Sequence, residues 1–123
     1  MTEPLLEPIR LCPGDDLRGA LQALLRQRGQ HAAHVVAGIG SLVDARLRWA
    51  GADAVVTVDG PSEILTLSGT VGADHAHLHA SVSDAQGRVF GGHVVPGCVV
   101  RTTAELLVAW LPGWRFDRAF DPA

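Results

Sequence analysis

Residues 75–95 read HAHLHASVSDAQGRVFGGHVV, from His75 to Val95, and the turn inside this stretch decides the fold. Asp84-Ala85-Gln86-Gly87 suits a type I turn followed by a left-handed glycine, the chemistry of a three-residue hairpin loop. Asp84 then pairs with Arg88. Counting back from the turn places His79 opposite His93 and His77 opposite Val95. Side chains alternate along a strand, so His77 and His79 share a face. Directly opposed residues also share a face, with Cβ atoms ~5 Å apart. His77, His79 and His93 therefore converge. The other face carries Ala76, Leu78, Ala80 and Val82 on one strand and Phe90 and Val94 on its partner. It is wholly apolar and must pack on a core. Ser81 and Ser83 lie on the histidine side, and Gly91-Gly92 leaves room beside His93 for a bulge or a ligand.

Three neutral imidazoles at this separation fit Zn²⁺ with an open fourth position, at ~2.0–2.1 Å per Zn–N bond. Water, substrate or a carboxylate can fill that position. Glu63, Glu105 and His75 are candidate neighbours that the spacing does not place. The competing reading is three half-buried or interfacial histidines bonded to backbone. His31 and His34 flank a helix-to-strand turn and read as surface or satisfied core residues.

Working outward, Pro13-Gly14-Asp15-Asp16 supplies a turn and a capping carboxylate. Leu17, Ala20, Leu21, Leu24 and Leu25 recur with helical spacing and form one apolar stripe. Gly29 is the expected stop. Nearly everything else reads as strands. His34 to Ala37 runs into Gly38-Ile39-Gly40-Ser41, and Ala45 to Trp49 forms a second short strand. Val55 to Val58 and Glu63 to Thr70 flank Asp59-Gly60-Pro61, a hairpin signal. Thr102 to Trp110 carries apolar residues at the even positions Ala104, Leu106, Val108 and Trp110, which favours a strand, with a helix as the alternative. Arg115 to Phe120 is a weaker final strand. One helix among hairpin-linked strands predicts an α+β domain, with a central antiparallel β-sheet and one main flanking helix.

The bulk properties exclude several functions. The 123 residues make one domain. Apolar residues make up 47% of the chain, and charged residues only 19%, so further surface is expected to be covered between subunits. The net charge is −3, and the ten basic residues are scattered arginines. Tight nucleic-acid binding needs clustered cations to displace phosphate counterions. Cys12 and Cys98 lie far apart and read as two buried or semi-buried thiols, not as a disulfide framework. The N-terminus lacks the pattern of a signal peptide. No apolar run approaches the ~20 residues that cross a bilayer. A cytoplasmic location is the expectation, with no membrane partner. Gly38-Ile39-Gly40-Ser41 lacks the third glycine of a dinucleotide loop. Ser41 and Ser68 belong to no defensible triad, and Trp110 and Trp114 read as core or interface.

Several segments together resemble one family. Gly60-Pro61-Ser62-Glu63-Ile64-Leu65-Thr66-Leu67-Ser68-Gly69-Thr70, His77-Leu78-His79, Ser83-Asp84, Gly87-Arg88-Val89, Gly91-Gly92-His93, Pro96-Gly97 and Thr103-Ala104-Glu105 are similar to the signature of the PPC domain, the module shared by plants and prokaryotes. Upstream, Arg10-Leu11, Pro13 to Leu17, Gly38 to Leu42 and Leu47-Arg48 fit the same pattern. The likeness runs over roughly residues 9 to 121, and it divides the chain into an N-terminal extension, 1–8, and a domain, 9–123. It implies a homotrimer and a metal on His77, His79 and His93. In plants the domain follows an AT-hook, and this sequence has no such segment, so DNA binding is not expected. The implied fold is also similar to that of acetolactate decarboxylase, a zinc lyase about twice as long. By that analogy Glu63, Glu105, Arg48 and Arg101 are candidate catalytic residues. A carboxylate would move a proton, and an arginine would hold a small carboxylate ligand. Two functions follow: a trimeric binding, assembly or ligand-sensing module, or a small zinc-dependent lyase-like enzyme acting on a keto or hydroxy carboxylate.

Overall fold

The computed structural model describes residues 3–118. In chain order the elements are β1 (Leu5–Leu11), α1 (Leu17–Gln27), β2 (Ala32–Arg48), β3 (Val55–Gly72), β4 (Ala76–Asp84), β5 (Val89–Val94) and β6 (Val99–Trp110). The six strands form one sheet in the order β1-β6-β2-β3-β4-β5, and its ladders are antiparallel. The predicted α+β architecture is therefore present. The sheet also closes on itself, because the end of β2 pairs with β5 through Leu47↔Val94 and Arg48↔His93. Among the described residues, no helix is long and apolar enough to cross a membrane.

The helix forms where its stripe predicts. Asp16 caps it, with Oδ2 accepting the Gly19 N–H at 2.9 Å. The other oxygen, Oδ1, accepts the Gly97 N–H at 2.7 Å, tying the β5–β6 loop to the helix start. Gly29 takes a left-handed φ of 63° and ends the helix. Leu17, Leu21 and Leu25 are fully buried against the sheet, together with Leu47, Leu67, Leu78 and Val82. Each such side chain contributes roughly 1.5–3 kcal/mol by leaving water.

Two strand assignments need correction. The segments at 34–41 and 45–49 are one 17-residue strand, β2, with an irregularity between Val43 and Ala45. Asp44 sits there with φ 51°. Asp59-Gly60-Pro61 does not reverse the chain; it kinks the 18-residue strand β3. The two kinks face each other, and the Asp44 carboxylate accepts the Gly60 N–H at 2.7 Å. Gly60 can supply the positive φ of 77° that this bend needs. Pro61 lacks an N–H, so the ladder loses a donor there. The true reversal is between β2 and β3, where the Ala52 N–H bonds to the Trp49 carbonyl. The bend lets β2 serve two neighbours: its first part pairs with β6 and its end with β5.

At the N-terminus, β1 begins at Leu5 and pairs with β6 over its full length. Glu7 joins three elements by accepting bonds from Arg28 (2.7 Å) and from the Trp110 indole (2.8 Å). Trp110 is buried, whereas Trp114 is exposed. Of the weak final strand, Arg115 makes a single bridge to His31, residues 116–118 are not strand, and Ala119 and Phe120 lie outside the described residues.

Candidate metal centre

The hairpin that carries the histidines is held by its own turn. The Asp84 N–H bonds to the Arg88 carbonyl at 2.9 Å, and Gly87 adopts φ 79°. The Asp84 side chain accepts from the backbone N–H groups of Gln86 and Arg88 and from the Arg88 guanidinium at 2.8 Å. Burial alone raises a carboxyl pKa. Here the bonds from Arg88 and Gln86 outweigh it and hold Asp84 below its ordinary value.

This turn sets the predicted register: His79 lies directly opposite His93. Beyond it β5 ends at Val94, and the Val95 N–H turns to the Arg46 carbonyl of β2. Ala76, Leu78, Ala80 and Val82 are buried, so His77 and His79 face outward. The three rings form a tight triangle, with centroids 5.0 Å apart for His77–His79, 4.9 Å for His77–His93 and 5.2 Å for His79–His93. One ligand atom from each lies within 4.8 Å of the others. A tetrahedral ion with ~2.0–2.1 Å bonds needs neighbouring nitrogens about 3.4 Å apart, so small ring rotations bring these donors onto one ion. Two of the rings are biased to the neutral, ligating form. Partial burial lowers the pKa of His77 first, followed by the charges of His79, Arg118 and His75. Burial likewise leads at His93, followed by His77, Arg48, His79 and Arg118. The donor set fits a divalent cation.

A cleft of about 550 Å³ opens beside the histidines, lined by Arg48, Trp49, Asp53, His79, Gly92 and His93 among others. Gly92 makes it possible. A Cβ there would approach the Arg48 carbonyl oxygen to 2.8 Å, so a side chain would force β5 away from β2.

Of the candidate residues drawn by analogy, Arg48 alone lies at the cleft within this chain. Glu63 is exposed on β3 opposite Ser83, four residues along β4 from His79. Glu105 lies on β6 and is paired with Arg10 at 3.3 Å. Arg101 is exposed on the same strand. His75 precedes β4, and its charge is felt at His77. Sequence reasoning missed Trp49, Asp53 and Arg118. The first two sit in the β2–β3 reversal, which the apparent hairpin at Asp59-Gly60-Pro61 concealed. Elsewhere, Cys98 is buried and donates to the Arg46 carbonyl, while Cys12 is exposed, contrary to expectation.

A family model described as the Plants and Prokaryotes Conserved (PCC) domain matches residues 8–112. The chain belongs to this family. Among curated relatives, the PCC-domain chain is 45% identical over 116 residues to the bifunctional protein GlmU of a Synechococcus strain, covering 94% of this chain and 18% of that protein. It thus spans less than a fifth of the curated relatives it matches. Among solved structures, a hypothetical protein from Salmonella shares 39% identity at a TM-score of 0.89, covering 96% of this chain and 86% of the other. A metal-containing protein from Archaeoglobus fulgidus shares 29% identity at a TM-score of 0.83, covering 98% of this chain and 89% of the other.

Proposed function

We propose that this PCC-domain chain is a self-assembling binding module that senses or holds a small ligand at a zinc ion on His77, His79 and His93. The observation that carries the reading is the convergence of three donor atoms to within 4.8 Å at the mouth of an open cleft. Zinc suits the set because it accepts three imidazole nitrogens and keeps a fourth position for a ligand. Bound there, it would act as a Lewis acid toward an oxygen ligand. The metal content of the Archaeoglobus relative supports the reading. So does the occurrence of a similar segment within the much longer GlmU relatives, as expected of an add-on module. Self-association, as a trimer by family resemblance, is supported by exposed apolar side chains at Leu5, Leu6, Val36, Ile39 and Leu65.

Metal analysis of the purified wild type against His79→Ala tests the site. Zinc near one per chain in the wild type and its loss in the variant is the expected result. Equal metal content in both removes the site.

A second reading, a small zinc-dependent lyase-like enzyme for a keto or hydroxy carboxylate, draws on Arg48 beside the histidines. It needs a proton-moving carboxylate. Asp53 lines the cleft, while Glu105 is engaged by Arg10. DNA association finds little support in a chain of net charge −3. A salt-dependent mobility shift tests it, and no binding at low salt would eliminate it.

A further inference from the structure

Two arginines contribute positive charge to the surroundings of the histidines. Arg48 ends β2 directly opposite His93 and lines the cleft. Arg118 lies near enough for its charge to be felt at His77 and His93. Among the described residues, the ion pairs Arg10–Glu105, Arg28–Glu7 and Arg88–Asp84 involve neither Arg48 nor Arg118. Asp53 is the single carboxylate among the residues described as lining the cleft. A dication on neutral imidazoles, with the Arg48 guanidinium at the same cleft, leaves an excess of positive charge that an anion would balance.

The shape of the cleft narrows the class of anion. Arg48 offers a planar fork that matches a carboxylate. Trp49, Ala50, Ala52 and Gly92 give the same cleft a largely apolar wall. Its volume of about 550 Å³ falls in the range of small-molecule sites, roughly 300–1,000 Å³. A bare phosphate has no carbon body to place against that wall. We propose that the cleft binds a small dicarboxylate, with one carboxylate at the open position of the cation, the other on Arg48, and the carbon chain against Trp49. This inference rests on the three-histidine zinc site.

The test is calorimetric titration of malonate into zinc-loaded wild type, zinc-stripped wild type and zinc-loaded Arg48→Gln, with zinc content measured in each and inorganic phosphate as a parallel titrant. Arg48 is exposed, so its substitution should leave folding intact. Malonate is expected to bind the zinc-loaded wild type, and at least tenfold more weakly both without zinc and in Arg48→Gln at unchanged zinc content. Three results overturn the proposal while sparing the metal site: zinc retained with no malonate binding, equal affinity in Arg48→Gln, or phosphate binding as tightly as malonate. A wild type that takes up no zinc overturns the metal site and this proposal together.

Discussion

His79 and His93 face each other across the β4–β5 ladder, with ring centroids 5.2 Å apart and ring planes tilted by 52°. His77 completes the triangle from two positions earlier on β4. His75 shares that alternation, yet it lies before the strand begins and outside the converging set. His77→Ala should therefore cost metal affinity more than the ~10–100-fold that follows loss of a mere supporting group, whereas His75→Ala should leave the metal bound. Competition with a chromogenic chelator measures both. Equal loss in the two variants would show that the ligand set has been drawn wrongly.

Gly69 sits on β3 between Ser68 and Thr70, which flank His79 and His77 in the ladder. Its φ is 143°, and a Cβ there would collide with the His77 carbonyl oxygen. Strained backbone and overpacking each cost about 1–3 kcal/mol, so Gly69→Ala should destabilise the domain by about 3 kcal/mol or more. Gly60 also has a positive φ, of 77°, but open space surrounds its missing Cβ. Gly60→Ala should cost about 1–2 kcal/mol, since only the backbone term applies. Urea midpoints of the two variants give the comparison, and a milder effect at Gly69 than at Gly60 would contradict the packing of β3 on β4.

Asp84 links the turn to pH. Its carboxyl is held below its ordinary value of 3.8 in the folded chain, by bonds from Arg88 and Gln86 that outweigh burial. The unfolded chain therefore takes up a proton first as pH falls. Stability from this group is fully present above the ordinary value and is lost as pH drops through the lowered one. The urea midpoint of wild type should exceed that of Asp84→Asn at pH 7, and the gap should close below pH ~3.8. A gap that stays constant down to pH 2 would mean the ionised carboxylate is not what holds the turn.

Much of this was legible because the deciding contacts are local. Asp84 and Gly87 fix the hairpin, the hairpin fixes the register, and the register brings His79 to His93. The helix was equally readable from its leucine stripe and the Asp16 cap. The long strands were not. Gly60-Pro61 carries the same residues whether the chain reverses or kinks, and the difference lies in Asp44, sixteen positions away, whose carboxylate meets the Gly60 N–H. With the reversal misplaced, Trp49 and Asp53 could not be seen as walls of the cleft. Arg48 was named by analogy, but its pairing with His93 depends on the closure of β2 onto β5, which no local pattern encodes.

The outer face of β1, β6 and β2 offers the last test. Pro8, Arg10, Ile39, Glu105 and Leu107 line a shallow depression of about 490 Å³ there. Ile39 is 58% exposed and Leu6 is 65% exposed, unusual for large aliphatic side chains on a sheet. A second copy covering this face would bury them, and the Arg10–Glu105 pair at 3.3 Å would lie within or beside the contact. Ile39→Asp places an unpaired charge at that surface. The single chain should tolerate it, because the side chain is exposed, with a stability change within about 0.5 kcal/mol. The assembly should not tolerate it, because an isolated carboxylate is costly to bury. Light scattering after gel filtration should therefore report a multiple of the 13.0 kDa chain for wild type and a fall toward one chain for the variant. A wild type that elutes as a single chain, or a variant with unchanged mass, would show that this face is not where copies meet.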